Sequence, residues 1–91
     1  MVTVVVANMR VYRVFNGKIQ QIHEKPTSDS AAVIVDENNK KLWIWKGTRS
    51  SPHSRYRASA FATKLKTQLK LVGAKTVFVE EGREPADYPL K

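Results

Sequence analysis

The residue types that perform chemistry in proteins do not occur in this chain at the spacing that a catalytic or metal site requires. The two histidines, His23 and His53, fall on different predicted elements, and neither has a second metal-ligating residue at a typical spacing. The chain has no cysteine, which excludes disulfides and thiolate metal sites. The sequence therefore predicts no metal site and no cofactor.

Candidate nucleophiles and acids are also without catalytic partners. The serines in the middle of the chain have no activating base at a suitable spacing, and we interpret them as helix caps and surface residues. They are Ser50, Ser51, Ser54 and Ser59. A cluster of glutamates in the tail could form an acid pair, although pairing with Arg83 or with other basic side chains is the simpler interpretation. The cluster comprises Glu80, Glu81 and Glu84. The sequence indicates no active site, and we predict that the protein is not an enzyme.

The charge of the chain is strongly basic and unevenly placed. Sixteen lysines and arginines oppose eight acidic residues, a net charge of +8. No acidic residue lies between Lys40 and Lys75. The basic residues of this run are Lys40, Lys41, Lys46, Arg49, Arg55, Arg57, Lys64, Lys66, Lys70 and Lys75. Such a field attracts nucleic acid, acidic lipid head groups such as phosphoinositides, or an acidic protein surface. The alternative is a basic domain that has no such partner.

The order of predicted elements is ββββαβα, which places the chain in the α+β class as one domain over residues 1–91. Asn16-Gly17 is a strong hairpin signal, and Ser50-Ser51-Pro52 is a typical helix start. Gly73 is the expected stop of the long helix, which we place up to Val72. The predicted strands are Met9–Phe15, residues 18–24, residues 31–35, Lys41–Lys46 and residues 76–80, with a short helix at residues 84–88 and a lead-in or edge strand within residues 1–8.

The stretch KKLWIWKG does not alternate between apolar and polar residues as a half-buried strand would. It therefore predicts a central strand that is covered on both faces. Leu42 and Ile44 should point toward one layer, and Trp43 and Trp45 toward the other. The predicted architecture is a five-stranded mixed sheet between one long helix and one short C-terminal helix.

Three stretches together resemble the repeat unit of the gelsolin and villin family. They are RVYRVFNGKIQQI, similar to the first hairpin of the repeat, LWIWKG, in which Trp-x-Gly leads into the long helix, and VFVEEGREPADY, similar to the end of the repeat. The likeness extends over residues 9–88 and implies the same sheet between two helices. It also implies actin binding, often under calcium control, although the family usually has several such repeats in one chain.

The calcium ligands of that family are not matched. The family places an acidic side chain before the third strand and a glutamate on the long helix, and these positions fall near Ala31 and Arg57. Asp29 lies near the first position, but one carboxylate does not provide the several oxygen ligands that calcium takes. We therefore predict that the domain does not bind calcium at this site.

The long helix is the predicted binding element. Its core stripe comprises Ala58, Phe61, Ala62, Leu65, Leu69 and Val72. The opposite line has no charged residue and comprises Tyr56, Ala60, Thr63, Thr67 and Leu71. Basic residues border that line: Arg55, Lys66 and Lys70 on one side, Arg57 and Lys64 on the other. A helix of this kind can lie in the groove of a partner, and the resemblance implies docking in a cleft of actin. The alternative is an ordinary exposed face.

Two of these cations occupy unusual positions. Arg55 and Arg57 fall in the first turns of the helix, where its dipole disfavours positive charge. The sequence offers no structural reason for them, which favours a binding role.

The function predicted from these observations is an actin-binding cytoskeletal regulator of monomers or filaments, independent of calcium at the domain's own site. One alternative is an anion-binding module for a phosphoinositide membrane or for nucleic acid, although no nucleic-acid-binding motif is present. Another is an interaction domain that keeps the fold without the actin site. The N-terminus has no secretory leader and no transmembrane segment, and we expect a cytoplasmic protein.

Overall fold

The computed structural model describes residues 9–71 and 73–90, and the predicted lead-in strand within residues 1–8 lies outside them. The elements are β1 (Met9–Phe15), β2 (Lys18–Ile22), β3 (Ala31–Asp36), β4 (Lys41–Lys46), α1 (Pro52–Gln68) and β5 (Lys75–Glu80). The sheet has the order β2-β1-β3-β4-β5, with all neighbours antiparallel except the parallel pair β4 and β5. The predicted five-stranded mixed sheet is confirmed.

The turn between β1 and β2 has the conformation that its sequence predicts. Asn16 and Gly17 both adopt positive φ angles, 50° and 74°. Two consecutive residues of this kind form the tight turn whose twist matches that of the flanking strands. The turn fixes the register in which Phe15 pairs with Lys18.

The two central strands are covered on both faces. Every residue of β3 and the four inner residues of β4 are buried. Leu42 and Ile44 belong to the core beneath α1, whereas Trp43 and Trp45 belong to the core on the opposite face. The predicted division of β4 between two layers is therefore confirmed. The helix-side core comprises Val14, Ala31, Val33, Val35, Leu42, Ile44, Ala58, Ala62 and Leu65.

The opposite face is covered by the C-terminal strap, which we define as residues 81–90. Tyr88 packs edge-on against Trp43, with the ring centroids 5.6 Å apart, and is itself buried. The indole Nε1–H of Trp45 donates to Glu84 Oε2 at 3.1 Å. Lys41 Nζ and Asp87 Oδ2 form an ion pair at 2.7 Å. The strap therefore closes this core with the Tyr88 ring, Leu90 and these polar side-chain contacts, and Glu81 at its start accepts hydrogen bonds from Ser28 and Thr48.

The predicted short helix at residues 84–88 is wrong, because these residues form turns and irregular chain. Pro85 disfavours a helical conformation at Glu84, and Pro89 provides no backbone N–H to extend a helix. Only a single turn forms, in which Tyr88 N–H donates to Pro85 O at 3.1 Å. The cover is correctly placed in the sequence, but it is not helical.

The start of α1 is as predicted. Ser51 has an extended conformation and its side chain accepts a hydrogen bond from Ser54 N at 3.0 Å, with Pro52 in the first turn. This is the bond that a serine cap provides to an otherwise unpaired helical N–H.

The predicted end of α1 at Val72 is wrong, since the helix ends at Gln68. Val72 itself lies outside the described residues. Lys70 has a positive φ of 53°, and Leu71 N–H donates back to Lys66 O at 3.0 Å while Lys70 N–H donates to Thr67 O at 3.2 Å. These two bonds define a Schellman termination with Lys70 in the left-handed position where glycine is usual.

We expect Trp43→Ala to lower the free energy of unfolding by about 3–5 kcal/mol, because the ring is 1% exposed and its removal leaves a large cavity between the sheet and the strap. Denaturant unfolding measures this. Tyr56→Ala is a matched control, since that ring is 71% exposed and its loss should cost about 0.5 kcal/mol or less. Equal losses in the two variants would contradict a central position for β4.

The strap should weaken on acidification. The hydrogen bond from Trp45 holds the pKa of Glu84 below its ordinary value of 4.5. A lowered folded pKa gives stability that is complete above the unfolded pKa and is lost as pH falls through the folded value. We therefore expect the parent to be more stable than Glu84→Gln at pH 7, with the difference shrinking as the pH falls below 4.5. Unfolding followed by tryptophan fluorescence measures both proteins. A difference that stays constant from pH 7 to pH 3 would show that the charge of Glu84 contributes nothing.

Candidate functional site

The exposed face of α1 carries an uncharged line of residues, which we call the helix ridge: Tyr56, Ala60, Thr63 and Thr67. All of these are exposed, and Tyr56 is 71% exposed. The residues of α1 that are buried lie on the other side of the helix. The described part of the chain therefore presents this line to solvent, as the helical periodicity predicts.

The threonines of the helix ridge are less polar than their residue type implies. Thr63 Oγ1–H donates to the backbone carbonyl of Ser59 at 3.2 Å, and Thr67 Oγ1–H donates to that of Thr63 at 3.4 Å. Bonds of this kind, one turn back along a helix, satisfy the hydroxyl within the helix itself. The ridge can therefore meet an apolar surface without leaving these hydroxyl donors unpaired.

Leu71 does not belong to this line, although the sequence places it there. It lies beyond the end of α1, where the left-handed conformation of Lys70 turns the chain, and it packs against the helix-side core. The assignment of Leu71 to the exposed face of the helix is wrong because the helix ends before reaching it. Lys70 is exposed at the same termination, so it stands at the end of the ridge rather than along its side.

One flank of α1 faces β1 and the hairpin turn. The ring of Phe61 packs edge-on against Tyr12, with centroids 5.1 Å apart. Arg57 Nη2 donates to Gly17 O at 3.1 Å. Arg57 therefore fastens the hairpin to the first turns of the helix, which is a structural reason that the sequence does not reveal.

The other flank begins with Arg55, which is half-buried. Its Nε–H donates to Ser50 Oγ at 2.9 Å, and its Nη2 donates to Gly47 O at 3.3 Å. The carbonyl of Gly47 also accepts from Ser50 N at 3.1 Å and from Ser50 Oγ at 2.7 Å. Arg55 thus braces the junction between β4 and α1, so its position needs no partner to explain it.

Gly47 at this junction is required by close packing. Its N–H donates to Ser30 O at 3.1 Å. A Cβ at this position would collide with the backbone oxygens of Ser28 and Ser30. The Trp-x-Gly motif therefore marks the point where β4 passes directly against the chain before β3. The glycine is visible in the sequence, but the collision depends on a segment distant along the chain.

The remaining cations flank the helix ridge. Lys64 and Lys70 are exposed, and Lys66 is half-buried on the flank away from the hairpin. No acidic residue occurs in α1. The uncharged helix ridge therefore lies between positively charged side chains, among them Lys64, Lys66 and Lys70.

The two positions that the sequence resemblance assigns to calcium ligands carry no carboxylate in this chain. Ala31 is buried and has no side-chain oxygen, and Arg57 brings a positive charge to the second position. Asp29 accepts a hydrogen bond from Thr27, which holds the pKa of its carboxyl below the ordinary value. Within residues 9–71 and 73–90, no group of three or more acidic, histidine or cysteine side chains could hold a metal ion.

Both histidines are exposed. Over the described residues, no helix has the length and apolar character needed to span a membrane.

No protein-family model matches the sequence, and no curated protein matches it. Solved structures do match the chain. ProGel of Thorarchaeota, in a crystal structure with rabbit actin, has a TM-score of 0.76 and 17% identity over 86% of this chain and 91% of that chain. 2DGel3 of Thorarchaeota, also with rabbit actin, has a TM-score of 0.72 and 18% identity over 86% of this chain and 39% of that chain. The chain thus spans well under half the length of 2DGel3, and the likeness is one of fold.

We expect Lys70→Gly to raise the free energy of unfolding by roughly 0.5–1 kcal/mol, because glycine adopts the left-handed conformation without the clash that a side chain brings. Chemical denaturation measures the change. Lys66→Gly is the matched control, since it removes the same charge inside the last turn of α1 and should instead cost about 1 kcal/mol. A loss of stability in both variants would mean that Lys70 does not adopt the left-handed conformation after the end of α1.

Proposed function

We propose that this chain, a domain with the gelsolin-type fold, binds actin or an actin relative through α1 and acts on monomers or filaments without calcium at its own site. The observation that carries the proposal is the helix ridge, which is exposed, uncharged and bordered by cations. An ordinary solvent-facing helix would carry lysine and glutamate along that line.

The ridge suits a helix that lies in a groove. Tyr56 offers a large exposed ring at one end, and Ala60 allows a close approach of the partner in the middle. The threonine hydroxyls of Thr63 and Thr67 are already bonded within the helix, so little polar surface is left unpaired on docking. That both ProGel and 2DGel3 form complexes with actin makes actin the first partner to test.

The cations beside the ridge would steer the encounter. Lys64, Lys66 and Lys70 lie along a helix without acidic residues, so they produce a positive field around the ridge. Such a field speeds association with an acidic surface and is weakened by salt. In this proposal the ridge supplies contact and the lysines supply rate and orientation.

The side chains at the two ligand positions support calcium independence. Ala31 can offer no carboxylate, and Arg57 repels a cation while holding the hairpin turn. We propose that the domain binds its partner equally well with and without calcium.

A second candidate is an anion-binding module for a phosphoinositide membrane or nucleic acid, and the basic run between Lys40 and Lys75 favours it. The aromatic residues do not help such a role, since Trp43 and Trp45 are buried and unavailable for stacking on bases. Salt separates the candidates, because binding by charge alone falls steeply with ionic strength.

Ala60→Glu should leave the fold intact and weaken actin binding by several-fold to about a hundredfold, since a desolvated and unpaired charge costs about 1–3 kcal/mol. Co-sedimentation and polymerisation kinetics measure binding, both in calcium and in chelator. Gln20→Glu is the matched control, because it adds the same charge on β2, at the far edge of the sheet. Parent-like binding by Ala60→Glu would rule out the ridge.

Lys66→Glu tests whether the lysines beside the ridge steer the partner toward it. It should slow association and flatten its dependence on salt, with a smaller effect once the complex has formed. If Lys66→Glu alone abolished binding, and only at low salt, charge would account for the interaction and the second candidate would replace the first.

A further inference from the structure

A second large apolar side chain is exposed on the same side of the sheet as α1. Phe78, on β5, is 57% exposed and, with Tyr56, is one of the two large hydrophobic residues exposed in the described chain. It pairs in register with Ile44, which points into the helix-side core. Neighbouring residues of paired strands face the same side, so Phe78 also faces the side of α1.

α1 leaves this edge of the sheet uncovered. The helix packs over β1, β3 and β4. Phe61 and Arg57 face β1 and the hairpin, so the flank with Ser59 and Lys66 faces the opposite edge, where β5 lies. That flank of α1 and the exposed helix-side residues of β5, Thr76 and Phe78, therefore border a part of the sheet that the helix leaves open. We call this the β5 groove.

The β5 groove has an apolar wall and a cationic rim. Lys46 Nζ lies 5.1 Å from the centroid of the Phe78 ring, in a cation–π contact. Lys66 borders the groove from α1, whereas Lys75, where β5 begins, pairs in register with Lys41 and therefore faces the strap side of the sheet. Glu80, at the other end of β5, is the acidic residue paired in register with Lys46.

This charge pattern decides which occupant fits. Two copies of a chain with a net charge of +8 repel each other, and their lysine rims would meet across a shared β5 groove. An acidic surface that projects an apolar side chain would instead be attracted to the groove, because the lysines of the rim would pair with its carboxylates. Lys75 also protects the edge of β5 against pairing with another strand.

We propose that the β5 groove is a second contact for the same actin-type partner that docks on α1, with Phe78 as its anchor and an apolar side chain from an acidic surface as its occupant. This inference rests on the proposed function. The partner then contacts α1 on its ridge and on the flank facing β5, so the footprint continues from the helix to the edge of the sheet. Exposed aromatic anchors of this kind often dominate an interface.

Phe78→Ser and Phe78→Leu test the inference, with binding to actin measured at equilibrium. Phe78→Ser should weaken binding by about five- to fiftyfold, whereas Phe78→Leu, which keeps an apolar side chain, should stay within about threefold of the parent. Unfolding curves establish that both variants are folded, which is expected because the side chain is mostly exposed. Gln20→Glu again serves as a control on the distant strand.

The outcomes separate the inference from the proposed function. If Ala60→Glu loses binding while Phe78→Ser binds like the parent, the β5 groove is not a contact and the helix site stands. If the parent does not bind actin, both proposals are overturned. If the parent self-associates in sedimentation velocity and Phe78→Ser is monomeric, the occupant is a second copy of the chain and the inference is wrong.

Discussion

The burial of β3 and β4 on both faces is the constraint from which the rest of the architecture follows. A sheet with one solvated face needs one cover, but this sheet places Leu42 and Ile44 on one side and two indole rings on the other. Leaving either set in water would forfeit a large share of the hydrophobic free energy available to a domain of 91 residues. α1 and the C-terminal strap are therefore both necessary, and the face of α1 that points away from the sheet is the one carrying the helix ridge.

The junction at Gly47 determines where that ridge stands. Its carbonyl accepts three hydrogen bonds, two from Ser50 and one from Arg55, and its backbone packs against the chain near Ser28. This arrangement ties the end of β4, the start of α1 and the loop before β3 into one unit. The position of Tyr56, one residue after Arg55, is consequently set by packing at the junction between β4 and α1.

Local signals predicted much of this structure, and the errors arise where distant contacts decide. The positive φ angles of Asn16 and Gly17 and the serine cap at Ser51 depend on residues close in sequence, and both were predictable. The end of α1 was not, because Lys70 adopts a conformation for which Gly73 was the better local candidate. The site follows the same division: the helical period predicts the exposed line from Tyr56 to Thr67, but not the bracing contacts of Arg55 and Arg57.

The strap has a consequence for how the molecule opens. It is not part of the β ladder, and it is held by the Tyr88 ring, the Glu84 hydrogen bond, the Lys41 ion pair and the hydrogen bonds that Glu81 accepts from Ser28 and Thr48. Segments held by few buried contacts detach at a lower free energy than a sheet does. Detachment would uncover Trp43 and Trp45 while leaving α1 in place, so backbone amides in the strap should exchange with solvent faster than those of β3. These fluctuations would take place on the reverse of the sheet from α1 and would leave the helix ridge undisturbed.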